Sequence, residues 1–289
     1  MAASELILNE RGAVYHLDLR PEELADTVIT VGDPDRVAQV SRYFDTVELR
    51  RQHREFVTHT GQLSGRRITV LSTGIGTDNI DIVLNELDAV ANIDPVRRAP
   101  RERLRQLDII RIGTSGSLQA DVPVDSFVAS THGIGIDNLM QFYAHVPNDE
   151  EVLVRQAFQR HTLLEGPFPP PFVKGGSPGL LKHFTSGFAM GMTVTCPGFY
   201  GPQGRVLRLP LRQPGLNDRL GSFRYGDLRI TNYEMETSAL YGLGQLLGHR
   251  TVSLSAIVAN RVDGRFSADG AAAVDRLIRT ALGILAGRS

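Results

Sequence analysis

Five short, β-branched, apolar runs recur along this chain: TVITV at 27–31, ITVLS at 68–72, DIIRIG at 108–113, SFVAS at 126–130 and TVSLSAIVAN at 251–260. Runs of this kind suit strands covered on both faces, since a strand half open to water would alternate apolar with polar residues. Amphipathic stretches lie between them, at about 34–44, 78–91, 149–162, 236–247 and 269–286, with the spacing of helices. Buried strands interleaved with helices predict an α/β fold, a three-layer α/β/α sandwich around a central mixed sheet. The 289 residues fit one large domain or two small ones, and one domain over 1–289 is the expectation.

Composition removes several functions. A formal net charge of -1 with 22% charged residues provides no basic excess for nucleic acid or an anionic membrane surface. Cys196 is the only cysteine, so neither an intrachain disulfide nor a cysteine zinc cage can form, and a reducing cytoplasm is the simplest setting. MAASELILNERGAVYH is acidic where a signal peptide is basic, and no apolar run approaches the roughly 18 residues of a membrane span. A soluble, cytoplasmic protein is therefore expected. Lys174 and Lys182 are the only lysines, which leaves nearly all positive charge to guanidinium groups, the better forks for oxyanions.

Two segments break the alternation. NIDPVRRAPRERLRQL, 92–107, is strongly basic and reads as a solvated run that could alter packing between subunits. EGPFPPPFVKGGSPG, 165–179, is too rich in proline and glycine to continue a helix or a central strand, and reads as a lid or subunit contact.

The familiar nucleotide, metal and hydrolase signatures are missing: there is no G-x-x-x-x-G-K loop, no H-E-x-x-H helix and no G-x-S-x-G elbow. GIGTDN, 74–79, begins like a dinucleotide fingerprint but carries Asn79 in place of the third glycine, which argues against a Rossmann dehydrogenase.

What remains is a set of arginines, glycines and carboxylates at predicted strand ends. In VGDPDRV, 31–37, Gly32 permits close backbone approach and Arg36 can aim at an anion; alternatively Asp33 and Pro34 are an ordinary helix cap and Arg36 a surface side chain. Arg111 in IIRIGTSGS, 109–117, lies inside an apolar strand and needs an anionic partner. That partner is either a structural carboxylate or a bound phosphate shared with the Thr114 hydroxyl. QHREF, 52–56, adds Arg54. NYEMETSA, 232–239, places Glu234 and Glu236 around Met235 at a strand-to-helix junction, where carboxylates suit either sugar hydroxyls or a helix N-terminus. FYGPQGR, 199–205, sets Phe199, Gln203 and Arg205 on one tight turn, as the grip on a flat heterocycle would require.

Taken in this order, together with His16 in VYHLDL and with STGIGTDNIDIVLNELDA and IVANR, these stretches resemble the nucleoside phosphorylase superfamily, most closely its uridine phosphorylase branch. The resemblance implies that Gly32, Arg36, Arg111 and Thr114 bind phosphate, with Arg54 and His16 crossing from a neighbouring subunit to phosphate and to the ribose 5'-hydroxyl. It implies that Glu234, Met235 and Glu236 meet the ribose and that Phe199, Gln203 and Arg205 hold uracil. Glu236, Arg205 and Arg111 are the catalytic candidates. Reversible phosphorolysis of uridine, deoxyuridine or thymidine follows, with inorganic phosphate as co-substrate, no cofactor and no metal. A homodimer at minimum, with a hexamer as the larger form, is implied by the shared site.

Purine-cleaving relatives place an aspartate after the strand matching SAIVAN; here Asn260 and Arg261 follow, with Asp263 close by. The other readings are a purine or broad-specificity phosphorylase and a nonenzymatic nucleoside-binding or storage protein of the same fold. A hydrolytic nucleosidase has little use for three arginines directed at phosphate.

Overall fold

All five apolar runs form strands and all five amphipathic stretches form helices in the computed structural model, which describes residues 1–287. The strands are β1 (Thr27–Val31), β2 (Thr46–His53), β3 (Phe56–Leu63), β4 (Arg66–Ser72), β5 (Ile93–Asp94), β6 (Ala99–Pro100), β7 (Asp108–Ser117), β8 (Phe127–Gly135), β9 (Phe172–Gly175), β10 (Ala189–Thr195), β11 (Arg224–Tyr225), β12 (Leu228–Glu234), β13 (Arg250–Asn260) and β14 (Arg265–Phe266). The helices are α1 (Pro34–Ser41), α2 (Thr77–Asn92), α3 (Asp149–Thr162), α4 (Pro178–Leu181), α5 (Leu216–Ser222), α6 (Thr237–Leu246) and α7 (Gly270–Leu285).

The main sheet runs β11-β12-β10-β8-β13-β7-β1-β4-β3-β2, with β9 on β8 and β14 on β13. It is mixed: β4, β1, β7 and β13 are parallel, and β2 to β4 form an antiparallel meander. Alternate residues of each strand enter opposite cores. Ile29 and Ile110 pack with α1 and α7, whereas Val28 and Ile109 pack with α2 and α6. Helices therefore cover both faces, as the near-continuous apolar strands require.

One half of the sheet closes on itself. β7 pairs with the five-residue β1 only as far as Arg111, then continues to pair Gly116 and Ser117 with Tyr233 and Asn232 of β12. Strand twist carries the long β7 away from β1, and Gly116 leaves room for the Tyr233 ring of β12, whose Cε2 would lie 3.2 Å from a Cβ at that position. The resulting ring, β12-β10-β8-β13-β7, turns Met192, Val194 and Tyr233 toward α3 and α5 in a third core with Phe158 and Leu220.

Five longer strands are absent from the apolar pattern, each for a physical reason. Burial along β2 never exceeds partial, so its Thr-Val-Glu-Leu-Arg-Arg sequence reads as surface. β12 is buried over most of its length yet carries Thr231, Asn232 and Glu234, polar groups that bond Thr193, Ser115, Thr195 and the start of α6 rather than pack on an apolar neighbour. β3 and β10 are interrupted by glycine, and β9 is four residues long. β9 lies within the proline-rich segment, attached to β8 outside the main strand path, so the exclusion from a central position holds.

The basic stretch 92–107 differs from a simply solvated run. It folds into the β5–β6 hairpin, Arg98 donates to the carbonyls of Met1, Ala2 and Leu6, and Arg105 pairs with Asp26 at 2.7 Å. Arg97 and Arg103 remain exposed. Among the described residues no helix is long and apolar enough to cross a membrane.

Lys174 on β9 is 3% exposed and bonds Glu151 at 2.8 Å, whose carboxylate also completes a capping box with Asn148 at the start of α3. Cutting one member from a buried pair strands the other charge. Lys174→Ala is expected to destabilise the protein by about 3–5 kcal/mol, measured by urea denaturation; an unchanged midpoint would show that Glu151 relaxes to solvent.

Candidate active site

Arg111 occupies the α2/α6 face of β7 and is 6% exposed, so its charge must be met inside the protein. It is met by two carboxylates. Its Nη2 bonds Glu236 and lies 3.2 Å from Glu234. Burial acts to depress the Arg111 pKa, but the two glutamates more than offset it and the net shift is upward. The guanidinium folds back over Gly113, two residues along on the same face; a Cβ there would lie 2.0 Å from Nη1. Only glycine leaves that space.

The glutamates reach Arg111 because β12 ends where α6 begins. Glu234 accepts from the backbone N–H groups of Glu236 at 2.9 Å and Thr237 at 2.9 Å, and from Thr195 Oγ1 at 2.8 Å. Both of its oxygens are thereby engaged, and it caps α6 as an anion at a helix N-terminus should. Burial pushes its pKa up, opposed by Arg111 and reinforced by Glu236. Glu236 is held from the other side by the Gly76 N–H at 2.8 Å, which assigns a purpose to the GIGTDN loop.

Arg36 reaches the same cluster from the first turn of α1. Asp33 does cap this helix, accepting from the Asp35 N–H at 2.9 Å, so the cap reading of VGDPDRV is part of the answer. Arg36 is nonetheless partly buried beside Arg111 and Glu236, and burial and the like charge of Arg111 lower its pKa. Its side chain has no hydrogen bond or ion pair among the described residues. A partly desolvated guanidinium without a hydrogen-bonded partner favours a nearby anion. The Thr114 hydroxyl, also without an internal partner, and Gly32 border the same space.

Opposite this cationic end stands the 199–205 turn. Arg205 donates to Gln203 Oε1 and to the Phe199 carbonyl, both at 2.6 Å, and lies over the Phe199 ring at 3.7 Å from its centroid. Gln203 is buried, and its Nε2 has no partner among the described residues. Burial lowers the Arg205 pKa, with Arg261 adding to the effect.

Both ends line one cavity of about 750 Å³, together with Glu234, Met235 and Glu236 between them. It opens at the carboxyl ends of parallel β1, β4 and β7, the place where open α/β sheets take ligands. Gly32, Arg36, Arg111, Thr114, Phe199, Gln203, Arg205, Glu234, Met235 and Glu236 are thus brought together. His16 and Arg54 are not. His16 bonds Glu86 at 2.6 Å, and Arg54 lies 5.6 Å from the Tyr15 ring centroid at the tip of the β2–β3 hairpin. Glu55, Asn79, Ser115, Tyr233 and Phe266 also line the cavity, and the sequence reading assigned them no role. Only Asn79 carried a signal, by sitting in a glycine-rich loop between a strand and a helix.

Asn260 is turned away from the cavity. Its amide donates to the carbonyls of Gln119 and Val122 and accepts from the N–H groups of Val262 and Asp263. Asp263 is exposed and lines no part of the cavity. Among the described residues no cluster of His, Cys, Asp and Glu side chains is placed to hold a metal ion.

Gly113→Ala would push the Arg111 guanidinium off its carboxylates and leave buried charge unpaired. A loss of about 3 kcal/mol is expected, read as a fall in thermal midpoint; a variant melting with the wild type would contradict the close approach.

Comparison with known proteins identifies the family. Residues 26–286 match the family model described as the phosphorylase superfamily. A uridine phosphorylase of Thermococcus kodakarensis is 30% identical over 267 residues, 90% of this chain and 82% of the relative. A DeoD-type purine nucleoside phosphorylase of Listeria monocytogenes is 25% identical over 83% of this chain and 84% of its own. The solved structure of a Trypanosoma brucei nucleoside phosphorylase with uridine phosphorylase activity superposes with a TM-score of 0.90 at 30% identity, over 98% of this chain and 99% of that one. The chain belongs to the nucleoside phosphorylase superfamily, in its uridine phosphorylase branch.

Proposed function

We propose that this protein is a uridine phosphorylase, a pentosyltransferase that reversibly moves ribose from uracil to inorganic phosphate, with deoxyuridine and thymidine as related substrates. The observation that carries this reading is the unpartnered Arg36 beside Arg111 at one end of a cavity whose other end is the Gln203–Arg205 clasp. An oxyanion and a flat polar heterocycle fit those ends, and the space between them takes a sugar.

In this reading Gly32, Arg36, Arg111 and Thr114 hold phosphate against the anomeric carbon. Met235 packs on the ribose, and Glu236 orients its hydroxyls, fixed from behind by Gly76 and Arg111. Glu234 positions the segment through its cap on α6 more than it meets the sugar. As the glycosidic bond breaks, negative charge moves to the uracil, where Arg205 and the free Nε2 of Gln203 stabilise it. The chemistry draws on inorganic phosphate as co-substrate and calls on no cofactor or metal.

Oligomerisation belongs to the same proposal. Arg36 and Arg111 balance Glu234 and Glu236, so arriving phosphate adds charge that a further cation must offset. Arg54 is on a hairpin tip and does not line its own cavity, as would suit a residue completing a second copy's site. A homodimer is the smallest assembly that achieves this, and a hexamer the larger form. One catalytic unit over the whole chain, a cytoplasmic setting and a role in pyrimidine salvage complete the reading.

The Listeria relative favours a second reading, phosphorolysis of purine nucleosides. Against it, the Asn260 amide is fully engaged elsewhere and no acid replaces it at the clasp. Incubating the protein with uridine or inosine, with and without phosphate, should release uracil in a phosphate-dependent manner and little hypoxanthine. Inosine cleavage matching that of uridine would replace the first reading with the second. Arg205→Ala and Glu236→Gln should each lower kcat by roughly 10²–10³-fold with circular dichroism unchanged; near-normal turnover in either would remove that residue from the mechanism.

A further inference from the structure

The 199–205 turn is shaped from within but fastened to the rest of the protein at one atom. The Tyr200 carbonyl accepts from the N–H groups of Gln203 at 3.1 Å and Arg205 at 2.8 Å, and Gly204 N–H donates to the Gly201 carbonyl at 3.0 Å. The Arg205 side chain also bonds inside the turn. Among the described residues, the hydrogen bonds that leave the turn converge on the Gln203 carbonyl. Asn217 Nδ2 donates to it at 3.3 Å and Tyr233 Oη at 3.4 Å.

Packing backs the turn up at the buried Gln203 but leaves Arg205 between two spaces. Arg205 lines the substrate cavity on one side and, on the other, a second and largely apolar cavity of about 810 Å³ bounded by Tyr200, Pro202, Leu207 and Leu209. A partition with space on both sides has few contacts to resist tilting, and its angle rests on its hydrogen bonds. A small tilt would carry the Gln203 amide and the Arg205 guanidinium off the base together.

Asn217 is mounted to provide that restraint. It stands in the first turn of α5, whose Leu216 and Leu220 are buried in the third core with Phe158 and Phe223. Gly204, at φ 69°, presents its bare α-carbon to the amide; a Cβ there would lie 2.5 Å from Nδ2. Asn217 Oδ1 is buried with no hydrogen-bond partner. A buried acceptor left unsatisfied is unfavourable and calls for a reason. Flipping the amide would set that oxygen against the Gln203 carbonyl, so the orphan follows from keeping the donor on the turn.

We propose that Asn217, which lines neither cavity, is a positioning residue that holds the Gln203–Arg205 clasp at its working angle and thereby sets the preference for pyrimidine. The inference rests on the uridine reading above. It assigns Asn217 no contact with substrate. Tyr233 shares the carbonyl but also lines the substrate cavity, so Asn217 is the cleaner probe.

The test uses the full-length protein with Asn217→Leu, which removes the donor at similar volume, and Asn217→Asp, which turns an acceptor toward the Gln203 carbonyl. Each should lower kcat/KM for uridine by roughly tenfold or more, the scale of one lost hydrogen bond. The loss should appear in kcat as well as in KM for uridine, because the clasp both holds the base and stabilises its developing charge, with KM for phosphate held within about twofold because the phosphate end is untouched. The uridine-to-inosine ratio of kcat/KM should narrow, and Asn217→Gln, which keeps a donor, should recover part of it. A merely structural role would lower the thermal midpoint and move both KM values together, and that result would overturn the proposal. So would unchanged kinetics in Asn217→Asp, which also decides the matter if Asn217→Leu does not fold. Wild-type protein that fails to cleave uridine would overturn the parent reading instead, a result visible before any variant is made.

Discussion

The bond from Arg111 to Glu234 and Glu236 ties β7, β12 and α6 together in the interior. A guanidinium on the face of a buried strand has no place in an apolar core without such partners. Replacing a buried pair by well-packed apolar residues is commonly neutral or stabilising, so stability alone does not account for its presence. What the pair does provide is geometry. It fixes Glu236 between Gly76 and Arg111, and it holds the start of α6 against the first half of β7, so three chain segments distant in sequence meet at one point.

The sheet is built to make that meeting possible. β7 begins as a partner of β1 and finishes as a partner of β12, and the change occurs just past Arg111. Without the closure of β12 onto β7, the NYEMETSA segment would stay with β10 and its carboxylates would have no route to the arginine. Gly113 serves the same end by leaving the guanidinium a path over the strand. The cavity is thus a consequence of how one long strand divides its pairing between two neighbours.

Its two ends are held differently. The cationic end rests on strand termini, a capped helix and a buried ion pair. The clasp end rests on a self-bonded turn with space on either side. In the proposed reading the base is gripped by the less constrained part of the site, which is the part where a single supporting residue in α5 can matter.

Much of the fold was legible in the residues, because burial on both faces leaves a continuous apolar signature at β1, β4, β7 and β13, and amphipathic spacing marks the helices. The edge strand β2 and the polar β12 were not legible, since the first is half exposed and the second carries polar groups that bond neighbouring strands and the start of α6. The residue types at the site were readable where a local motif placed them, as with Gln203 and Arg205 on one turn. The basic segment 92–107 was misjudged as wholly solvated because its partners, the carbonyls of Met1, Ala2 and Leu6, are remote in sequence and carry no side-chain signal. Sequence by itself determined that Arg111 needed an anionic partner, since the cost of a buried charge depends only on its surroundings being apolar. Tertiary structure alone decided that Glu234 and Glu236 supply it, that Arg36 forms no ion pair among the described residues, and that Arg54 and His16 lie outside the cavity lining, because those outcomes depend on distances between segments that the order of residues does not contain.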